Sequence, residues 1–149
     1  MTEINIFVPG VPVPKGSAKA FVVKGRAIVT QDNSSKQKPW ASSISYSAMQ
    51  AMNHARPLSG PFSVNLTFYM PRPKGHYGTG KNSAFIKDSA PGNHVSKPDA
   101  DKLLRCVLDA LTDVIWVDDS QVCEIAVSKQ YETISRGTGV KIQIRSIEC

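Results

Sequence analysis

The sequence predicts an α+β fold: a two-layer α/β arrangement in which a mixed β-sheet carries two helices on one face, in the order β-(hairpin)-α-β-α-β-β. Three observations lead there. Phe62, Val64, Leu66 and Phe68 alternate with Ser63, Asn65 and Thr67, the period of a half-buried strand. From Pro98 to about Asp113, Leu103, Leu104, Val107, Ala110 and Leu111 share one face of a helical wheel, and Asp101, Arg105, Asp109 and Thr112 share the other. Two further apolar alternations follow, at Val122–Tyr131 and Val140–Ile147. Strands joined across helices build a mixed sheet with its helices on one side, and 149 residues suit one domain, taken as 1–149.

The remaining elements follow in chain order. Ile4–Val8 reads as a short strand ending at Pro9-Gly10, and prolines hold Val11–Gly16 extended. Phe21-Val22-Val23 and Ala27-Ile28-Val29 flank Lys24-Gly25-Arg26, a small hairpin turning at glycine. Trp40, Ile44, Ala48 and Met52 recur every four residues, with Met49 beside them. They predict a helix from about Pro39 to Ala55, with the proline near its start. Residues 71–97 are rich in Pro, Gly and Lys and read as a long, irregular loop, mobile without a ligand. Arg136-Gly137-Thr138-Gly139 then suggests a hairpin joining the last two strands.

Charge divides along the chain. Residues 1–60 carry seven Lys/Arg against two acids, 61–97 carry five against one, and 98–149 carry six against nine. The first two-thirds are basic, as suits a polyphosphate partner, and carboxylates collect in the last third. No apolar run approaches the roughly 18 residues a membrane span needs. No basic start precedes an apolar stretch, so a cytoplasmic protein without a signal peptide is expected. Cys106, Cys123 and Cys149 match no zinc spacing and read as buried apolar side chains or a frayed terminus. His54, His76 and His94 lie scattered in unlike elements and are not expected to be catalytic.

The chemistry concentrates in Lys97-Pro98-Asp99-Ala100-Asp101-Lys102-Leu103-Leu104-Arg105. Asp99 falls at a helix N-cap and Asp101 in the first turn, so one reading is structural: a cap and a dipole-favoured acid. Trp116-Val117-Asp118-Asp119-Ser120-Gln121-Val122 adds two acids between the helix and the next strand, where the structural reading is a polar turn. If the chain returns to the same end of the helix, these acids converge. Crowded carboxylates with no His or Cys among them call for a hard cation, Mg²⁺ with Mn²⁺ as the alternative, and such a cation activates water at a phosphodiester. Arg105 either holds a phosphate, steadies a carboxylate, or forms an exposed ion pair along the helix. Lys15, Lys19, Lys74, Lys81, Lys87, Lys97 and Lys102 are candidate DNA-backbone contacts. In 71–97, the charges interleave with Tyr77, a stacking platform.

Three linked motifs, Lys-Pro-Asp-x-Asp-Lys-Leu-x-Arg (97–105), Asp-Ala-Leu (109–111) and Trp-x-Asp-Asp-Ser-Gln-Val (116–122), resemble those of the RusA family of Holliday-junction endonucleases. The Pro-Gly-x-Pro-x-Pro-Lys opening at 9–15 is similar too, so the resemblance covers most of the chain. It implies a homodimer that makes paired symmetrical nicks across a four-way junction with Mg²⁺ and no small organic cofactor. It maps the family's essential acids onto Asp99, Asp101 and Asp119, with Asp118 as an adjacent or alternative ligand, and its catalytic lysine onto Arg105. This sequence departs from the family in Lys102, where the pattern has Asn, and in Arg105, where it has Lys. Arginine keeps the charge but donates no proton at working pH. A nuclease for other branched DNA and a catalytically impaired DNA-binding module are the alternatives. The dimer interface is expected on a strand edge or at residues such as Phe21 and Tyr46.

Overall fold

Strand β4 (Phe62–Met70) is the axis of the protein, whose structure, a computed structural model, describes residues 2–16, 18–31 and 34–148. β1 (Glu3–Pro9), β6 (Gly139–Ser146), β4 and β5 (Val122–Tyr131) form one sheet in the spatial order β1-β6-β4-β5. β6 runs antiparallel to both β1 and β4, and β5 runs parallel to β4. Register explains the core. Val64 lies opposite Ile144, Leu66 opposite Ile142 and Phe68 opposite Val140, while Ile4 and Val8 of β1 face Ile144 and Val140. All these side chains are buried on one face, and Ser63, Asn65 and Thr67 stand on the other, half-buried or exposed.

Two helices cover the apolar face. α1 (Ser34–Ala51) packs against β1 and against α2 (Ala100–Leu111), and α2 also contacts β5. Trp40, Ile44 and Ala48 of α1 meet Leu103, Cys106, Val107, Leu108, Ala110 and Leu111 of α2 in a single core cluster. Met49 faces out instead. Burial pushes the Cys106 thiol up to about 11, whereas Cys123 is exposed on β5.

The mixed two-layer fold is as expected, and the small hairpin is present. β2 (Ala18–Val23) pairs with β3 (Arg26–Gln31) across Lys24 and Gly25, whose φ angles of 50° and 77° suit a two-residue turn. Two expectations are corrected. α1 starts at Ser34, so Pro39 lies more than a turn inside it, where it removes one helical hydrogen bond. The helix stops at Ala51, and Asn53 and His54 take left-handed φ of 50° and 58°. β5 and β6 are not a hairpin: β6 crosses to the far side of β4 and β5 stays at the edge. The glycine at 139 serves a close approach, because a Cβ there would lie 2.5 Å from the Val8 carbonyl oxygen.

The 71–97 segment is irregular, with short 3-10 turns at Lys74–His76 and Gly80–Asn82, but it is fastened at both ends. Arg72 donates to the carbonyls of Glu132 and Pro91. Farther along, His94 N–H donates to Lys129 O, and Tyr131 N–H to Gly92 O, so the segment lies along the outer edge of β5. Among the described residues no helix is long and apolar enough to cross a membrane.

Candidate functional site

The β4–α2–β5 crossover carries Asp99, Asp101, Arg105 and Asp119. Lys129 of β5 donates from its ammonium to the carbonyls of Ser96 (2.6 Å) and Pro98 (2.7 Å), fixing the approach to α2, where the Lys97–Pro98 peptide is cis. Asp99 then takes the N-cap position (φ −72°, ψ 146°), yet its carboxylate makes no cap bond. The structural reading of Asp99 as a side-chain cap is therefore not realised. Asp101 is exposed in the first turn, and neither carboxylate has a hydrogen bond or ion pair with another described residue.

Helix periodicity places Arg105 one turn beyond Asp101, about 6 Å along the axis. Its Nη1 lies 2.8 Å from Asp119 Oδ2 and 3.8 Å from Asp109 Oδ1. Lys15 Nζ reaches Asp109 Oδ2 at 2.9 Å, and Lys15 N–H donates to the Lys102 carbonyl. The result is an alternating chain of charge, Lys15–Asp109–Arg105–Asp119, that ties the extended 11–16 strap, the middle of α2 and the entry to β5 together. Arg105 thus steadies a carboxylate, and the i,i+4 pair with Asp109 is the looser of its two contacts.

Asp119 arrives there because the 112–121 connection is tightly built. Trp116 is fully buried against Phe62, and its indole N–H donates to Thr112 Oγ1. Asp113, with φ 70°, turns the chain. The Gln121 amide oxygen accepts from the N–H groups of Val117 and Asp118, and its nitrogen donates to the carbonyls of Leu58 and Gly60. Asp118 accepts from Ser120 N–H, completing a capping box with Gln121, and that bond holds its carboxyl below the usual range. The Asp-Asp-Ser-Gln motif therefore divides its labour: Asp118 and Gln121 shape the turn, and Asp119 faces α2.

A cavity of about 600 Å³ opens beside Asp99, between the 11–16 strap and the 97–102 segment, with Lys15, Lys36, Lys97 and Lys102 among its lining residues. Of the candidate DNA contacts, Lys15, Lys97 and Lys102 thus come together here. Lys74, Lys81 and Lys87 are exposed on the 71–97 segment, and only the backbone of Lys19, in β2, is described. Lys36, on the first turn of α1, lines the cavity and escapes sequence reasoning, and His94, expected only to be non-catalytic and part of the basic loop, lines it too. His94 is buried against the edge of Tyr131, which it shares with His76. Burial, and then the Lys129 charge, lowers its pKa below that of an ordinary imidazole. Its place five residues before Asp99 was the available signal. Among the described residues, no three acidic, His or Cys side chains are already grouped around a point that a metal ion could take.

The sequence matches the family model described as Endodeoxyribonuclease RusA over residues 9–145, and the chain belongs to that family. It is also 32% identical over 153 residues to the uncharacterized protein YqaN of Bacillus subtilis (strain 168), a match spanning 99% of each chain.

Proposed function

We propose that the protein is a divalent-metal-dependent endodeoxyribonuclease that resolves four-way DNA junctions by paired symmetrical nicks, acting as a homodimer. Family membership, with the motif acids Asp99, Asp101 and Asp119 present, supports this reading. The observation that carries it furthest is the Arg105–Asp119 contact, which sets the third motif acid beside the helix that bears the other two.

The donor set suits a hard cation. Asp99, Asp101 and Asp119 offer only carboxylate oxygens, and the first two are engaged with no other described side chain. These three would hold the ion, with Asp118 adjacent. Bound there, Mg²⁺ or Mn²⁺ would supply a nucleophilic water and neutralise charge on the phosphate. The chain's own residues do the rest. Arg105 orients Asp119 and offers its remaining N–H donors to a phosphate oxygen, staying charged throughout. Lys97 and Lys102 add positive charge where the strand passes the N-terminus of α2, and Lys74, Lys81 and Lys87 extend that charge outward. One chain carries one such set of acids, so two cuts related by a two-fold axis call for a second copy. The open stretch of the β5 edge, with Ile125 47% exposed, and Tyr46, 63% exposed on α1, are candidate contact surfaces.

A second reading, a DNA-binding module with impaired catalysis, is favoured by Asp119 being held by an arginine. Cleavage of a four-way junction, flaps, forks and linear duplex, each with Mg²⁺ and with EDTA, decides among them. The proposal expects Mg²⁺-dependent paired nicks in the junction. Binding without cutting under every condition would support the impaired module, and preferential cutting of flaps or forks would point to another branched substrate.

A further inference from the structure

We propose that the cavity beside Asp99 takes one unstacked nucleotide of the bound DNA strand, next to the phosphodiester that is cut. The inference rests on the nuclease reading and adds a specific demand on the substrate.

Size, apolar lining and charge point the same way. At about 600 Å³ the cavity lies in the range of roughly 300–1,000 Å³ typical of small-molecule sites, too narrow for a duplex and adequate for a single base with its sugar. Val13, Pro71 and Pro98 are among the lining residues, apolar surfaces suited to the face of a base. Lysines at 36, 97 and 102 give the same cavity the charge that a nucleotide's phosphates complement. His94 also lines it, its ring held against the edge of Tyr131. Asp99 lines the cavity and precedes Asp101 by two residues, so a nucleotide held here sits close to the scissile bond. Unstacking is least costly where pairing is already interrupted, as at a branch point.

The test uses a four-way junction carrying 2-aminopurine at each position around the cut in turn. It is bound uncut by the Asp119→Asn variant, whose substituted residue lies outside the cavity. One position should brighten several-fold on binding while its neighbours do not. Pro71→Trp, which fills the cavity from its exposed side, should abolish the rise. A junction that is bound, by gel shift, with no position brightening overturns the inference and leaves the nuclease reading intact. A rise that survives Pro71→Trp places the unstacked base elsewhere and also overturns it. Failure to bind any branched DNA removes both readings together.

Discussion

Arg105 Nη1 and Asp119 Oδ2 lie 2.8 Å apart, joining the middle of α2 to the turn that opens β5 across fourteen residues of sequence. Both side chains are substantially exposed, so the pair adds little stability, in the range of about 0–1 kcal/mol for surface ion pairs. Its importance lies in where it puts Asp119.

Arg105→Ala should therefore leave the unfolding midpoint almost unchanged and reduce junction cleavage by about a hundredfold or more, the scale of losing one preorganised charge donor. Urea titration and single-turnover cleavage measure the two effects. A fully active Arg105→Ala protein would rule out a role for Arg105 at the site.

Asp99→Asn, Asp101→Asn and Asp119→Asn should each abolish cutting while junction affinity survives within a few-fold. Cleavage and gel-shift assays at the same salt check this. If any one of the three cuts at the parent rate, that residue is not a metal ligand.

Gln121 lies near the acids and serves architecture. Its amide makes four hydrogen bonds that bind the Val117–Asp118 corner to the carbonyls of Leu58 and Gly60. Gln121→Ala should destabilise the protein by about 1–2 kcal/mol, the net worth of several largely exposed hydrogen bonds, and lower activity only through the misplaced turn. A midpoint within error of the parent would contradict that assignment.

Joint neutralisation of Lys74, Lys81 and Lys87 should weaken DNA binding and flatten its dependence on salt, by up to about 0.9 in the logarithmic slope per lost phosphate contact. Affinities measured across a salt series give the slope directly. An unaltered slope would remove the 71–97 segment from the DNA interface.

Burial raises the Cys106 thiol to about 11 from an ordinary 9.0, so at pH 8 it is overwhelmingly protonated and shielded, whereas Cys123 is exposed. Iodoacetamide followed by peptide mapping should mark Cys123 and spare Cys106. The sign for stability follows. The folded state holds this proton more tightly, so its contribution is complete below the unfolded pKa near 9 and fades as pH rises through about 11.

Much of this is legible in the sequence, for reasons tied to particular residues. β4 and α2 announce themselves because each buries one face, and burial imposes its period on the chain: Phe62 to Met70 every second residue, Leu103 to Leu111 every third or fourth. The pairing of β6 is not legible, since alternation says which face is buried and nothing about the neighbour. The glycines at 137 and 139 suit a hairpin as well as a close approach to Val8. Pro39 suggests a helix start, yet α1 begins five residues earlier, at Ser34, where the apolar period that marks the rest of the helix is absent. At the proposed site, the motifs nominate Asp99, Asp101 and Asp119, and helix phase puts Arg105 near Asp101. That Gln121 anchors the turn depends on contacts with Leu58 and Gly60 some sixty positions away, and the placement of His94 depends on an edge of β5 that the local sequence does not describe.

The crossover from α2 into β5 also sets how the chain tolerates changes in length. Asp101, Arg105 and Asp109 share a stripe because they are spaced by whole turns. One residue inserted between 101 and 105 would rotate everything before it by about 100° relative to Asp119, and no side-chain adjustment recovers that. The exposed stretch around 79–90 makes no such demand, and its ends are pinned independently by Arg72 and Lys129. Insertions and deletions should thus be permitted in that stretch and lethal to cutting within the first two turns of α2. A one-residue insertion series scored by junction cleavage would map the boundary.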